Sequence, residues 1–188
     1  MEIKNRNPKI YLFCGKARHG KDTSAGYLKE IYEQNNKKVI YSRAGKYIKY
    51  YAMEMSSWDG SEESKPRELL QILGTDIIRN KLGKSEMFIE RQLDDIEIYS
   101  YFYDVIIVPD IRLPREIESV KNKFNNVVVI KIDRVNFEND LTTTEQKHST
   151  ETAMDNYNDY DYIIKNETLE KLKEDMYKIY EEETKWKN

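Results

Sequence analysis

Four short apolar runs stand out, only the last of them broken by a polar residue, Lys131: Ile10–Cys14, Val39–Tyr41, Val105–Val108 and Val127–Ile132, with a weaker fifth at Tyr162–Ile164. A strand with one wet face alternates apolar and polar residues. A β-branched run that does not alternate must be covered on both faces, as in a parallel sheet sandwiched by helices. Between the runs lie helix-periodic stretches. After Gly20, the residues Ala25, Leu28, Ile31 and Tyr32 fall on one helical face. Near the other end Leu169, Leu172, Met176 and Ile179 recur at helical spacing and predict a long amphipathic helix. Strands alternating with helices predict an α/β, doubly wound domain with a five-stranded parallel sheet. At 188 residues, one domain with a single sizeable core is expected.

Two stretches break the alternation. Residues 43–103 hold no strand-like run but many helix formers, which predicts a helical insertion. Asn136 to Lys147 is polar and aperiodic, which predicts a loop or lid over about residues 134–150. The core is then residues 9–42, 104–133 and 160–188. Charged residues make up 35% of the chain yet nearly cancel, at a formal net charge of −3. No global field for nucleic acid or an anionic membrane follows, so neither is expected as a partner. Cys14 is the only cysteine, which excludes an internal disulfide framework and suits a reducing, cytoplasmic setting. The first nine residues are mostly polar and charged, and no apolar run nears the roughly 20 residues needed to span a bilayer. The fifteen tyrosines read as compositional bias.

The segment Gly15-Lys16-Ala17-Arg18-His19-Gly20-Lys21-Asp22-Thr23 follows one buried run and opens a helix. That is the context in which G-x4-G-K forms a phosphate-binding loop. Glycines let the backbone curl around an anion and aim successive N–H groups at it. The helix N-terminus adds partial positive charge, and Lys21 reaches the terminal phosphates. The whole loop, Gly15 to Thr23, is therefore expected to hold ATP, with His19 as a positional residue. A hydroxyl usually follows the lysine; here Asp22 does, with Thr23 one step later. Either can serve Mg²⁺, which favours hard oxygens and keeps several waters. Asp110, at the end of the third apolar run, is a third metal candidate, because strand C-termini face the ligand crevice in such sheets. Arg112 and Arg115 follow it toward the phosphates, and Pro114 suits the first turn of a helix. The two histidines and Cys14 offer no zinc-ligand spacing.

Gly15–Thr23, the stretch from Leu69 to Arg79 (LLQILGTDIIR) and Asp110–Glu116 (DIRLPRE) together resemble bacteriophage and bacterial deoxynucleoside monophosphate kinases. So do His148-Ser149-Thr150-Glu151 and the tail Tyr160–Leu169. The resemblance runs in order from residue 10 to about residue 172. It implies a P-loop kinase of the nucleoside monophosphate kinase type, with a helical acceptor-binding insertion and a lid. Arg43 and Gly45 depart from the aromatic and acidic residues of that family after the second strand. A second resemblance is to animal-type phosphomevalonate kinases, through the Gly-Lys-x-x-x-Gly-Lys-Asp loop and the stretch Asp155–Asp161.

The nucleotide-family resemblance makes Arg79 and Gln71 candidates for the acceptor. Guanidinium forks clamp phosphates, and an amide can read a base edge. Arg67 joins them by position, since Arg67, Leu70, Gln71 and Gly74 lie near one face of a helix that Pro66 begins. Lys49 follows the second strand and is a further phosphate candidate. Arg134 follows the fourth strand and would bring positive charge to the transferring group, while His148 and Glu151 would latch the lid or cap the next helix. The expected activity is transfer of the γ-phosphoryl group of ATP, with Mg²⁺, to a (deoxy)nucleoside monophosphate. Phosphomevalonate as acceptor and a non-catalytic nucleotide-binding regulator are the alternatives. A second copy of the chain is a candidate partner.

Overall fold

A computed structural model describes residues 3–135 and 153–185. In chain order the elements are β1 (Lys9–Cys14), α1 (Lys21–Gln34), β2 (Val39–Tyr41), α2 (Gly45–Met55), α3 (Arg67–Gln71), a π-helix (Ile72–Lys81), α4 (Met87–Tyr99), β3 (Val105–Ile111), α5 (Pro114–Lys123), β4 (Val127–Arg134), β5 (Tyr162–Asn166) and α6 (Leu169–Lys185). They divide into two compact units, Met1–Ser42 with Asp95–Asn188, and Arg43–Asp94. The segment Asn136–Lys147, His148 and Glu151 lie outside the described residues.

The first unit holds a five-stranded, all-parallel sheet in the order β2-β3-β1-β4-β5. The uninterrupted apolar runs are its strands, and their burial explains why they do not alternate. Ile10 to Cys14 are all at most 1% exposed. Tyr11 and Phe13 join α1 (Ala25, Leu28, Ile31) and α6 (Met176, Ile179) in one cluster, while Ile10 and Leu12 are buried on the opposite face. Three tyrosines belong to this core rather than to a surface. The Tyr11 and Tyr32 hydroxyls meet at 2.6 Å, and Tyr32 stands edge-on to Tyr180 with centroids 4.9 Å apart. Such pairing satisfies the buried hydroxyls and adds aromatic contact.

Three strands run further than their apolar runs. β3 continues past Val108 to Ile111, because its register on β1 slips there: Leu12 pairs with Val108 but Cys14 with Ile111. One extra residue on β3, at Pro109-Asp110, makes a bulge. Pro109 has no N–H to lose, and Asp110 is the one exposed position in the strand. β4 reaches Arg134 and β5 reaches Asn166, and these two residues are partners across the ladder. Arg134 is thus the last residue of β4 rather than one beyond it. At the helix edge, Glu116 in α5 reaches back to accept from the N–H groups of Arg112 (2.8 Å) and Leu113 (2.9 Å), fixing the turn between β3 and α5.

The second unit has its own small core, Ala52, Trp58 and Leu73, packed with Ile48, Leu69, Leu70 and Ile77. The Trp58 indole donates to the Ser61 carbonyl at 2.8 Å. The helix expected from Pro66 starts there, but after Gln71 it widens into a π-helix. Its end shows the wide spacing directly: the N–H of Leu82 donates to the carbonyl of Ile77, five residues back. The unit boundary falls inside α4 at Asp94 rather than near residue 103. The end of α4 is tied within the first unit: Arg6 N–H donates to Ser100, and Lys123 pairs with Glu97 at 2.5 Å.

Candidate active site

Two glycines set the loop between β1 and α1. Gly15 has φ of 141°, and a Cβ there would fall on the carbonyl oxygen of Ile132. Gly20, the residue before α1, has φ of 98°, and a Cβ would come 2.5 Å from the Asn166 amide nitrogen. Only glycine fits at either place. Arg18, between them, also takes a positive φ of 61°, an uncommon backbone state for a residue with a side chain. The Lys21 side chain folds back under this loop and is 6% exposed. Its ammonium donates to the carbonyls of Gly15 (2.9 Å) and Lys16 (3.0 Å) and lies 3.6 Å from an Asp110 oxygen.

The bulge in β3 aims Asp110 at this lysine. Its other oxygen takes the Arg112 Nε at 3.1 Å. Lys21, Asp110 and Arg112 therefore form one charged row at the C-terminal ends of β1 and β3. The topology matters: β1 has β3 on one side and β4 on the other, so the chain reverses direction of winding at β1. Ligands of open α/β sheets bind at that crevice. Arg115 lies in the first turn of α5. Cys14, at the foot of the loop, is fully buried, and burial foremost, with Glu116 adding to it, pushes its thiol up to about 12. It is inert at neutral pH.

On the other side of the loop opens a cavity of about 420 Å³, lined by Arg18, Asp22, Thr23, Arg134 and the residues Asn166 to Leu169. Two of its lining residues, Arg134 and Asn166, are tied to His19 behind it. The His19 Nδ1 accepts from the Arg134 N–H at 3.1 Å, the Arg134 guanidinium donates to the Arg18 carbonyl at 3.3 Å, and the Asn166 amide donates to the His19 carbonyl at 2.9 Å. His19 is 9% exposed. Burial, reinforced by the charges of Lys21 and Lys16, holds its pKa below the ordinary imidazole value, although Asp133 pulls the other way. Asp133 lies in none of the motifs, and Asn166 falls within the tail Tyr160–Leu169 without being singled out there; register at the strand ends places both.

The candidate Mg²⁺ donors of the sequence stand at Asp22 and Thr23, in the first turn of α1, and at Asp110 on β3. Among the described residues no three His, Cys, Asp or Glu side chains cluster as a closed metal cage. Two carboxylates and a hydroxyl are hard-oxygen donors of the kind that Mg²⁺ takes alongside phosphates and water.

In the second unit Arg67 and Gln71 are exposed, one turn apart on α3, and Lys49 pairs with Glu62 at 3.2 Å. Arg79 lies on the π-helix. Its Nε is buried and has no hydrogen-bond partner among the described residues. Buried donors are nearly always satisfied, so an orphan of this kind needs a reason.

A family profile described as deoxynucleotide monophosphate kinase matches residues 34–176, from the last residue of α1 into α6. The loop Gly15–Thr23 precedes the match. Among solved structures, a sugar kinase from Janibacter sp. superposes with a TM-score of 0.57 at 10% identity, covering 93% of this chain and 95% of that one. A shikimate kinase from Aquifex aeolicus gives 0.52 at 17% identity, over 92% and 96%. An APS kinase mutant from Mycobacterium tuberculosis gives 0.50 at 9% identity, over 93% and 98%. At such identities the likeness shows the fold. No curated protein gives a significant match.

Proposed function

Because the chain belongs to the deoxynucleotide monophosphate kinase family, we propose that it transfers the γ-phosphoryl group of ATP to a (deoxy)nucleoside monophosphate, giving two diphosphates. The observation that carries this reading is Lys21. Its ammonium is gathered under the phosphate loop by two carbonyls and faces Asp110. A phosphate entering the ring of N–H groups would meet a cation already in place.

Phosphoryl transfer asks the protein for position and charge rather than for a nucleophile–base pair. The loop's N–H groups and the N-terminus of α1 hold the donor's phosphates. Lys21, Arg112 and Arg134 oppose the negative charge of the transferring group. Asp22, Thr23 and Asp110 would hold Mg²⁺, which when bound neutralises phosphate charge. The cavity lined by Arg18, Arg134 and Asn166 to Leu169 takes the donor's nucleoside. The second unit supplies the acceptor's groups: Arg79 and Arg67 for its phosphate, Gln71 for its base, with Lys49 in support. The unpartnered Nε of Arg79 supports this, since an incoming phosphate would satisfy it. Arg115 adds positive charge beside Arg112.

ADP formation measured with a panel of dNMPs, NMPs and 5-phosphomevalonate tests the reading. One or a few monophosphates should be phosphorylated, and 5-phosphomevalonate should not. Turnover of 5-phosphomevalonate alone would transfer the assignment to that substrate. ATP binding with no acceptor turned over would make the chain a nucleotide-binding regulator.

A further inference from the structure

We propose that His19 is a positioning residue for phosphoryl transfer: its neutral ring, with the proton on Nε2, pins the end of β4 to the phosphate loop and so sets where Arg134 stands. This rests on the reading of Arg134 as a cation for the transferring group.

His19 is tied to two strand ends and to its own loop. Its Nδ1 accepts the Arg134 N–H at 3.1 Å, its carbonyl accepts the Asn166 amide at 2.9 Å, and its own N–H lies on the Lys16 carbonyl at 3.3 Å. The Arg134 guanidinium then returns to the Arg18 carbonyl, the residue just before His19. A backbone N–H can point only at a lone pair. Nδ1 must therefore be the unprotonated nitrogen of the ring.

Protonation would undo the joint. With a hydrogen on Nδ1, donor would face donor at Arg134, and the Asp133 carboxylate, 3.5 Å away, would become the better partner. The charged groups facing the ring are Asp133 from β4, Lys16 from the loop and Lys21 from α1. Burial and the two lysines oppose protonation, while Asp133 and a hydrogen bond to the Ile132 backbone favour it, and the balance lies below the ordinary imidazole value. The joint is thus intact at neutral pH and opens on the acid side.

The test has one arm that needs no activity. Nitrogen-15 spectra of the chain's two histidines, assigned with a His148→Gln variant, should show His19 with Nδ1 bare and Nε2 protonated at pH 8. A proton on Nδ1 would overturn the proposal. The second arm is kinetic. His19→Ala should lower kcat about tenfold, the worth of one hydrogen bond, with the KM for ATP changed less. His19→Asn returns an acceptor to the Nδ1 position, and should recover most of kcat while losing the wild-type acid limb of the pH profile. In an Arg134→Ala background, His19→Ala should cost less than about twofold more. A full, undiminished loss there, or equal damage from Ala and Asn, would mean that His19 does not act through Arg134. If wild type phosphorylates no monophosphate, the reading of function fails, and the tautomer result still decides the joint.

Discussion

Around the phosphate loop, positive side chains are already engaged, whereas in the second unit a buried arginine nitrogen has nothing to hold. Lys21 sits on two carbonyls beside Asp110, Arg112 on Asp110, and Arg134 on the Arg18 carbonyl. Arg79, on its π-helix, leaves Nε without a partner among the described residues. The supporting cores differ in the same sense. The first unit buries Ile10 to Cys14 of β1 between helices, while the second rests on Ala52, Trp58 and Leu73 and leaves Tyr50, Met55, Ile72 and Leu82 exposed. A group held before its ligand arrives costs no reorganisation at the moment of reaction. A group left unsatisfied gains its partner only on binding, which suits selection of an acceptor rather than charge stabilisation.

Removing the engaged cation should have the largest effect. Lys21→Ala should lower kcat by about 10²–10³-fold, as loss of a preorganised charge-stabilising group does. Circular dichroism should show an intact fold. Activity near wild type would end the claim that the loop lysine is the preset charge.

Arg79→Ala sharpens the comparison from the other side. It should raise the acceptor's KM by about 2–4 kcal/mol, the range for losing one partner of a buried charge pair, and leave ATP binding unaltered. Thermal stability should hold or rise, since the variant deletes an unsatisfied buried N–H. If ATP affinity collapsed instead, Arg79 would belong with the donor and the contrast between units would be lost.

A smaller effect is expected from Gly20→Ala. The new Cβ would need φ of 98° and would press on the Asn166 amide, costing about 1–3 kcal/mol of stability. A denaturant titration measures this, and an unchanged midpoint would show that the loop is not held to β5 as tightly as the first unit's packing requires.

Alkylation compares the units with the least perturbation. The Cys14 thiol, raised to about 12, stays protonated and buried, so iodoacetamide at pH 8 should label it only when the first unit opens. The sign follows from linkage: folding favours the neutral thiol, so its contribution holds below the unfolded value and is lost as pH climbs toward 12. In a Cys14→Ala background, Leu73→Cys reports on the second unit and should label faster, because a small core opens at lower cost. Equal rates would mean that the two units open together.

Much of this was legible in the residues alone. Uninterrupted β-branched runs specify a covered parallel sheet because each residue in them must be buried on its own face, and no partner need be known to see it. The G-x4-G-K spacing specifies an anion loop for a similarly local reason: glycine's backbone freedom and a helix start. The extra residue on β3 was not visible, since a bulge is defined only by the strand beside it, and it is what turns Asp110 toward Lys21. The widening of the helix after Gln71 carries no period of its own that distinguishes it from an α-helix.

The sequence by itself determined the sheet, its helices and the place of the phosphate loop, because those follow from periodicity and from the conformational range of single residues. Only the tertiary structure decided why Gly20 cannot carry a side chain, which ring nitrogen of His19 is bare, and that Asn166 belongs to the site. The hydrogen bonds that decide these points join residues 115 and 147 positions apart. Their geometry is set where the ends of β4 and β5 meet the loop after β1, and no local pattern encodes a contact between strand ends brought together by the fold.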